Sequence, residues 1–595
     1  MKENTAKENV RQLRASMEHY KLDAYIVPSA DPHQTEYAHP HWRSRAWVSG
    51  FSGSAGTAVV LKEKAGLWTD GRYFIQAEIE LKGSGIDLFK ERMDGVPELI
   101  DWVRDNVPEG GAVGIDGRLL TAQQADQWEA KLKKRNIRLV IDLDLVSGLW
   151  KDRPALPTDP VRLYPVEYAG RSAADKLQEI RAALVDKEAD STFIAPLYDI
   201  AWLFNIRGND TPRCPLVTAY ALVQKESATL FVDEAKIDEA TRMGLAENGI
   251  AVVAYNTAAK ALAALPEKST LYLCEERVSA SLRRKVKCKV VTGSDLTDLP
   301  KARKNETELG NWATVQELDG AAMVRYWKWL EEEAVAKGTD EFAAQEYLGQ
   351  LRLSQPDCLD LSFNSISAYG PNAAMMHYSA KPDGCATLEP KGFYLIDSGG
   401  QYLGGTTDIT RTFALGELTE EQRLDYTLVL QGVIGLSSAR FLKGAAGTNL
   451  DILARQPQWE RGLDYKCGTG HGVGCYLNVH EGPQGFSQFK RHEAPLEPGM
   501  VVTIEPGVYK EGLHGIRIEN MVVVKADRET ECGVFYRFDT MTLFPIDTAP
   551  LLTEIMSQKE IDWLNAYHQT VCEKLAPHLS DEEVAWLETK TAPIG

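Results

Sequence analysis

The chain has 595 residues, 44% hydrophobic and 25% charged, so disorder and fibrous repeats are excluded as readings of the whole. At this length it buries large cores without disulfide or metal staples. Its 66 Lys and Arg stand against 85 Asp and Glu, a net charge of −19, which argues against a general nucleic-acid binder.

A helix opens the chain, with Val10, Leu13 and Met17 on one face. Strand signals follow at residues 24–27, 56–61 and 66–69, punctuated by glycine. Residues 139–141 read as another strand, after a helix containing Trp128 and Leu132. Residues 152–160 carry three prolines in nine positions, which marks a linker, because proline breaks helices and central strands alike.

Then the pattern restarts: a helix over 173–185, strands at 191–195, 219–223 and 229–232, and the segment WLFNIRGN before the last two. The first part runs helix, AYIVPS, WVSGFSGS, AVVL, GLWTD; the second runs helix, TFIAPL, WLFNIRGN, YALV, TLFVD. This suggests two related α/β domains. A second boundary is expected in the basic stretch Lys301-Ala302-Arg303-Lys304. Asn305 with Glu308 then forms a capping box for a helix with Met323, Tyr326, Trp327 and Leu330 on one face. Two closing helices start at Ser557, with Glu560, and at Ser580, with Glu583. The expected domains are 1–151, 152–302 and a larger α/β unit over 303–595.

Nine cysteines without a CxxC pair fit free thiols in a reducing, cytoplasmic setting. The first 28 residues hold no apolar core of signal-peptide length, and no run reaches the ~18 apolar residues of a membrane span.

Chemistry concentrates late in the chain. Five of the eleven histidines lie at 377, 471, 480, 492 and 514. In the same region acids adjoin strand-like apolar runs: Asp397 after FYLI, Asp408 before Ile409, Glu505 after VVTI, and Glu519 after IRI. Carboxylates so placed are costly unless paired or bound to metal. Glycines at 399, 400, 404 and 405 turn the chain between the aspartates, and those at 507, 512 and 515 between the glutamates. Each hairpin then holds two acids together. With His471 in the loop GTGHGVG they make an oxygen-rich set with one imidazole, suited to Mn²⁺, Co²⁺ or Zn²⁺. Four carboxylate charges balance two dications, which favours dinuclear, metal-assisted hydrolysis. The glycine loop lacks the following Lys-Ser or Lys-Thr of a phosphate loop.

The order Asp397, Asp408, His471 in GTGHGVG, Glu505 in TIEPGVY and Glu519 in GIRIEN resembles the pita-bread metallopeptidases. Within them the chain is similar to the long, three-domain Xaa-Pro aminopeptidases. The likeness extends to His377 in MMHYSA, His480 in LNVHEGP, and the segments YIVPSADPHQTEY, VSGFSGSAGTAVV, WTDGRYF and DIAWLFNIRG. It implies two creatinase-like α/β domains before a pita-bread catalytic domain with a C-terminal helical extension, and hydrolysis of the N-terminal Xaa-Pro bond by a metal-activated water. Two divalent ions are implied, Mn²⁺ first. The resemblance gives Asp397 to one metal, Asp408 and Glu519 to both, and His471 and Glu505 to the other, with Glu505 also the general base. It turns His377 and His480 toward the substrate, gives Tyr509 and Arg517 near the glutamates as further substrate-binding residues, with Arg517 also an orienter of the ligands, and offers Arg72 as a substrate contact from the first domain. It also implies a homodimer acting on peptides with proline second; charge and hydropathy, as above, lead us to expect no nucleic-acid or membrane partner. One position departs: relatives often carry histidine four residues before the metal histidine, where this chain has Cys467. The alternatives are a prolidase restricted to Xaa-Pro dipeptides, a methionine aminopeptidase, a metal-free hydrolase such as creatinase, and a peptidase-like binding module. The last two would have lost several ligands.

Overall fold

A computed structural model describes residues 2–488 and 494–595; His492 lies outside the described residues. The chain divides into two compact units, residues 1–166 with 171–297, and residues 167–170 with 298–595.

In the first unit, α1 (Lys2–His19) buries Val10, Leu13 and Met17, as its periodicity demands. It covers a six-stranded sheet of β1 (Ala24–Pro28), β2 (Thr57–Leu61), β3 (Ala65–Thr69), β4 (Asp87–Lys90), β5 (Ala112–Ile115) and β6 (Arg138–Val140), ordered β4-β3-β2-β1-β5-β6. Tyr25 and Val27 enter the core with α1, while Ala24 and Ile26 enter a second core with Ile100, Val103 and Leu132. Alternate residues point to opposite faces, so a strand feeding two cores reads as an unbroken apolar run.

After residues 152–160, which form no helix or strand, α2 (Ala173–Asp186) starts on a capping box of Ser172 and Asp175. Its sheet comprises β7 (Ser191–Ile194), β8 (Ala219–Gln224), β9 (Ala228–Val232), β10 (Ile250–Ala254), β11 (Thr270–Leu273) and β12 (Lys289–Thr292), ordered β10-β9-β8-β7-β11-β12. That is the first sheet's order with each number raised by six. Strand directions agree as well: β1 and β7 pair antiparallel with β2 and β8 but parallel with β5 and β11. The faint sequence repeat is thus a repeat of topology. His33, from the segment YIVPSADPHQTEY, joins the two sheets: its Nδ1 lies 2.8 Å from the Ala195 carbonyl and its Nε2 2.8 Å from the Tyr255 hydroxyl.

The second unit begins with α3 (Asp298–Ala302). The basic stretch expected as a boundary is folded into it: Lys301 and Lys304 are buried and only Arg303 of the three cations is exposed. Then come α4 (Glu306–Trp329), opened by the Asn305–Glu308 capping box, α5 (Glu341–Leu353), α6 (Glu420–Ser437) and α7 (Ile452–Trp459). The last helices, α8 (Gln558–Leu575) and α9 (Asp581–Lys590), open on the capping boxes read from sequence.

Two sheets carry the candidate site. β13 (Ile366–Tyr369), β14 (Phe393–Ser398) and β15 (Ile409–Ala414) form one, with β14 central. The other contains β16 (Gly470–Gly472), β17 (Glu481–Phe486) and β18 (Val501–Ile504). From β18 the chain makes the hairpin β19 (Gly507–Lys510) and β20 (His514–Arg517), then returns to that sheet as β21 (Asn520–Thr530) and β22 (Gly533–Thr540). Ile396, Ile409, Ile504, Ile518 and Val522 share one core with Trp327 of α4 and Val433 of α6. Each such side chain contributes about 1.5–3 kcal/mol by leaving water, so the strand ends bearing the acids rest on a close-packed floor.

Candidate metal centre

The two acidic hairpins exist as pairs of strand ends. Asp397 sits opposite Thr410 in the β14–β15 ladder, and Asp408 immediately precedes β15. The turn between them needs glycine: a Cβ on Gly399 would stand 1.9 Å from the Thr407 carbonyl oxygen. In the other hairpin Ile504 pairs with Asn520, so Glu505 and Glu519 occupy adjacent positions just beyond the ladder. β19 and β20 close the intervening segment through Gly512, whose φ of +74° suits glycine. The hairpins abut. The Glu519 N–H donates to the Thr410 carbonyl at 3.1 Å, and the Thr412 hydroxyl donates to the Arg517 carbonyl at 2.9 Å.

β16 delivers His471 to the same place, with Gly472 opposite Val502 of β18. A Cβ at Gly470 would meet the Thr503 carbonyl at 1.9 Å, so the glycines flanking His471 permit close strand approach. His471 Nδ1 lies 2.9 Å from the Gly472 carbonyl, an acceptor only, so Nδ1 donates there. Nε2 faces Asp408 Oδ2 at 3.4 Å and Glu505 Oε1 at 3.5 Å, the position from which a cation would take the place of its proton. One potential ligand atom each from Asp408, His471 and Glu519 lies within 4.8 Å of the others.

A hydrogen-bonded frame orients the acids. Arg517 donates to Asp397 Oδ2 at 2.6 Å, to the Tyr509 hydroxyl at 2.8 Å and to Thr410 Oγ1 at 3.1 Å. Thr410 in turn donates to Glu519 Oε2 at 2.7 Å, and Thr503 donates to Glu505 Oε1 at 3.3 Å.

The electrostatics are those of a cation site. Burial, followed by the charges of Asp408 and Glu505, pushes Asp397 up to about 6 despite Arg517. Burial and the same neighbours, with Asp397, drive Glu519 well above the usual carboxylate range. Burial works against a charge on His471, but the Asp408 and Glu505 carboxylates overcome it and raise the imidazole to about 9. Asp397 Oδ1 is buried with no hydrogen-bond partner among the described residues. An orphaned carboxylate oxygen, crowded acids and an inward-facing imidazole nitrogen fit hard or borderline divalent ions.

His480 stands next to the centre, its ring centroid 4.2 Å from that of His471 at 71°. His377 lies between Met376, whose carbonyl accepts from Arg517 at 3.4 Å, and Tyr378, whose hydroxyl donates to Glu341 at 2.8 Å. Cys467 lies in the bend leading into β16, its carbonyl held by Arg455 at 2.7 Å. Arg72 belongs to the first compact unit, where it donates to both Asp70 oxygens at 2.9 and 2.8 Å and lies 4.0 Å from Glu36. His514, counted among the clustered histidines, is a buried structural residue, 2.8 Å from Asp425.

Several supporting residues carry no signal in a motif search. Thr410 and Thr412 lie two and four residues after Asp408, on its face of the strand, so the period-2 rule could have found them. Arg411, on the opposite face, is buried and donates to the carbonyls of Glu519 (2.6 Å) and Phe544 (2.8 Å) and to Asn520 Oδ1 (2.9 Å). Asp451 accepts from Thr469 at 2.5 Å and from Arg455 at 2.6 Å, bracing the loop that carries His471. Nothing local announces either set.

Known proteins agree with this layout. Residues 312–526 match the metallopeptidase family M24, residues 534–594 its C-terminal region, and residues 10–144 and 152–308 the creatinase/prolidase N-terminal domain. A probable Xaa-Pro aminopeptidase P of Botryotinia fuckeliana is 40% identical over 99% of this chain and 93% of its own. Aminopeptidase P2 of Arabidopsis thaliana is 39% identical over 96% of this chain and 86% of its own. The crystal structure of an X-prolyl aminopeptidase from Caenorhabditis elegans, described as a cytosolic enzyme with a di-nuclear active site, has a TM-score of 0.95 at 33% identity, covering 99% of this chain and 100% of that one. The fold is therefore two creatinase-type α/β domains followed by a pita-bread catalytic domain.

Proposed function

This chain belongs to the Xaa-Pro aminopeptidase P family of M24 metallopeptidases, and from that premise we propose that it removes the first residue of peptides whose second residue is proline. The observation that carries the reading is the convergence of Asp408, His471 and Glu519, with ligand atoms within 4.8 Å of one another, beside Asp397 and Glu505.

Asp397 would hold one divalent ion, Asp408 and Glu519 both ions, and His471 and Glu505 the second; Mn²⁺ is our first choice, with Zn²⁺ or Co²⁺ as substitutes. Bound there, the ions supply Lewis acidity toward a water and toward the scissile carbonyl. Glu505 takes the proton of the attacking water as general base. His377 and His480 face the substrate and donate to the carbonyl oxygen as it becomes an oxyanion. Arg517 holds Asp397 in orientation, with Tyr509 on its other side. A dedicated enzyme is needed because an Xaa-Pro bond has no N–H to offer an ordinary peptidase.

We keep the three-part division 1–151, 152–302 and 303–595: the two repeated sheets and the matched regions support three parts and the first boundary, while residues 298–302 pack with the last unit. We assign the enzyme to the cytosol, as described for the C. elegans protein, and expect a homodimer. Among the described residues no helix is long and apolar enough to cross a membrane.

The deciding experiment is Mn²⁺-dependent hydrolysis of an Xaa-Pro-Xaa tripeptide beside an Xaa-Pro dipeptide, with metal content measured on the same protein. The proposal expects tripeptide cleavage and up to two ions per chain. Cleavage of the dipeptide alone would make the protein a prolidase, and loaded protein inert toward both would end the reading.

A further inference from the structure

Behind His471 and His480 lies a charged cluster that the reaction does not use. Glu481 follows His480, begins β17, and pairs with Gly472 in the ladder to β16. Its carboxylate is buried and meets two buried ammonium groups from the start of the second unit. Lys304 Nζ donates to Oε1, and Lys301 Nζ lies 3.3 Å from Oε2. Gln484 Nε2 donates to Oε1 at 3.2 Å. Glu481 also fills the space beside the glycine loop. A Cβ at Gly472 would stand 2.3 Å from its carbonyl oxygen, and one at Gly474 3.3 Å from its Oε2. On the other side of His480, Asn478 Nδ2 donates to the His480 carbonyl at 2.6 Å.

Two ammonium groups and a carboxylate in a dry interior are a poor way to obtain stability. Each ion costs several kcal/mol to desolvate, and apolar residues of similar volume often hold as well or better. What such a cluster does supply is direction: Glu481 has two fixed attachment points and little rotational freedom, and the residue tied to it is the one whose ring meets His471 at 4.2 Å.

We propose that Lys301, Lys304 and Glu481 form a clamp that positions His480 against His471, making these three positioning residues for the substrate-facing histidine. The inference rests on His480 facing the substrate, as proposed above.

The test is a double-mutant cycle on kcat/KM for an Xaa-Pro-Xaa tripeptide with Mn²⁺. Lys304→Met leaves Glu481 one lysine, a balanced pair, so the fold is retained. Alone it should lower kcat/KM about 10-fold, inside the ~10²-fold that a displacement on the order of 1 Å costs. Metal content should match wild type, and Lys304→Arg should restore most of the loss. In a His480→Ala background Lys304→Met should change nothing, because the residue it positions is gone. An equal loss in both backgrounds, or full activity of Lys304→Met, overturns the clamp and leaves the proposed reaction intact. Full activity of His480→Ala overturns both the clamp and the substrate-facing role given to His480. Should Lys304→Met fail to fold, Lys301→Met carries the same cycle.

Discussion

Glutamine at position 505 keeps the shape of the side chain and removes its charge. The backbone there stays held by the bond from its N–H to the Thr469 carbonyl at 2.8 Å, and Ile504 stays paired with Asn520. The fold of Glu505→Gln should therefore persist. The metal-free variant should be no less stable than wild type, because burial and then Asp408 and Glu505 already drive Asp397 up to about 6, and Glu505 also raises Glu519. Turnover should respond in the opposite sense. An amide cannot accept the proton of the attacking water, and a general base is worth about 10²–10⁴-fold, or ~2.7–5.4 kcal/mol at ~1.36 kcal/mol per tenfold. We expect kcat for an Xaa-Pro-Xaa tripeptide to fall at least ~10²-fold. Because Oε1 also lies 3.5 Å from His471 Nε2, weakened metal binding can deepen the loss, and metal analysis of the assayed sample separates the two effects. A kcat within a few-fold of wild type in fully loaded protein would refute the role given to Glu505.

Two other predictions probe different groups. His377→Ala and His480→Ala should each lower kcat/KM by at least ~10-fold, a floor under the loss of one oxyanion donor, with metal content unchanged; a variant that loses its metal places that histidine among the ligands instead. The third concerns acid. His568 in α8 is buried, its Nε2 accepts from the Ile546 N–H at 3.1 Å, and burial followed by the Arg411 charge pushes it down to about 4. The unfolded chain takes up that proton near ~6.5, so this contribution is present above that pH and is lost as pH falls toward 4, at up to ~1.36 kcal/mol per pH unit. Thermal unfolding across this range should decline less steeply in His568→Gln than in wild type; parallel curves would show that His568 is not the sensor.

The features legible in the amino-acid order are those whose causes lie within a few residues. The capping boxes at Asn305, Ser557 and Ser580 each need partners three positions apart, and seven of the twelve strands of the first two sheets announce themselves by local apolar runs, whereas β4, β5, β10, β11 and β12 are not read from the sequence. The two acidic hairpins were readable for the same reason: a turn of known chemistry sets Asp397 beside Asp408, and another sets Glu505 beside Glu519. Facing the hairpins toward each other is a different matter. It depends on β15 meeting β20, where Thr412 and Arg517 bond across 105 positions, and on Arg517 reaching Asp397 across 120. The same limit separated the histidines. His471 and His480 are brought ring to ring by the ladder between β16 and β17, whereas His514, in an equally suggestive glycine-rich setting, turns to Asp425 of α6. It also hid the use of Lys301 and Lys304, whose spacing looks like a solvated linker until Glu481, 177 positions from Lys304, is packed against them. Periodicity, turns and caps are paid for locally and so are written locally; which charges end up together is decided by how sheets and helices pack, and only the folded chain holds that information.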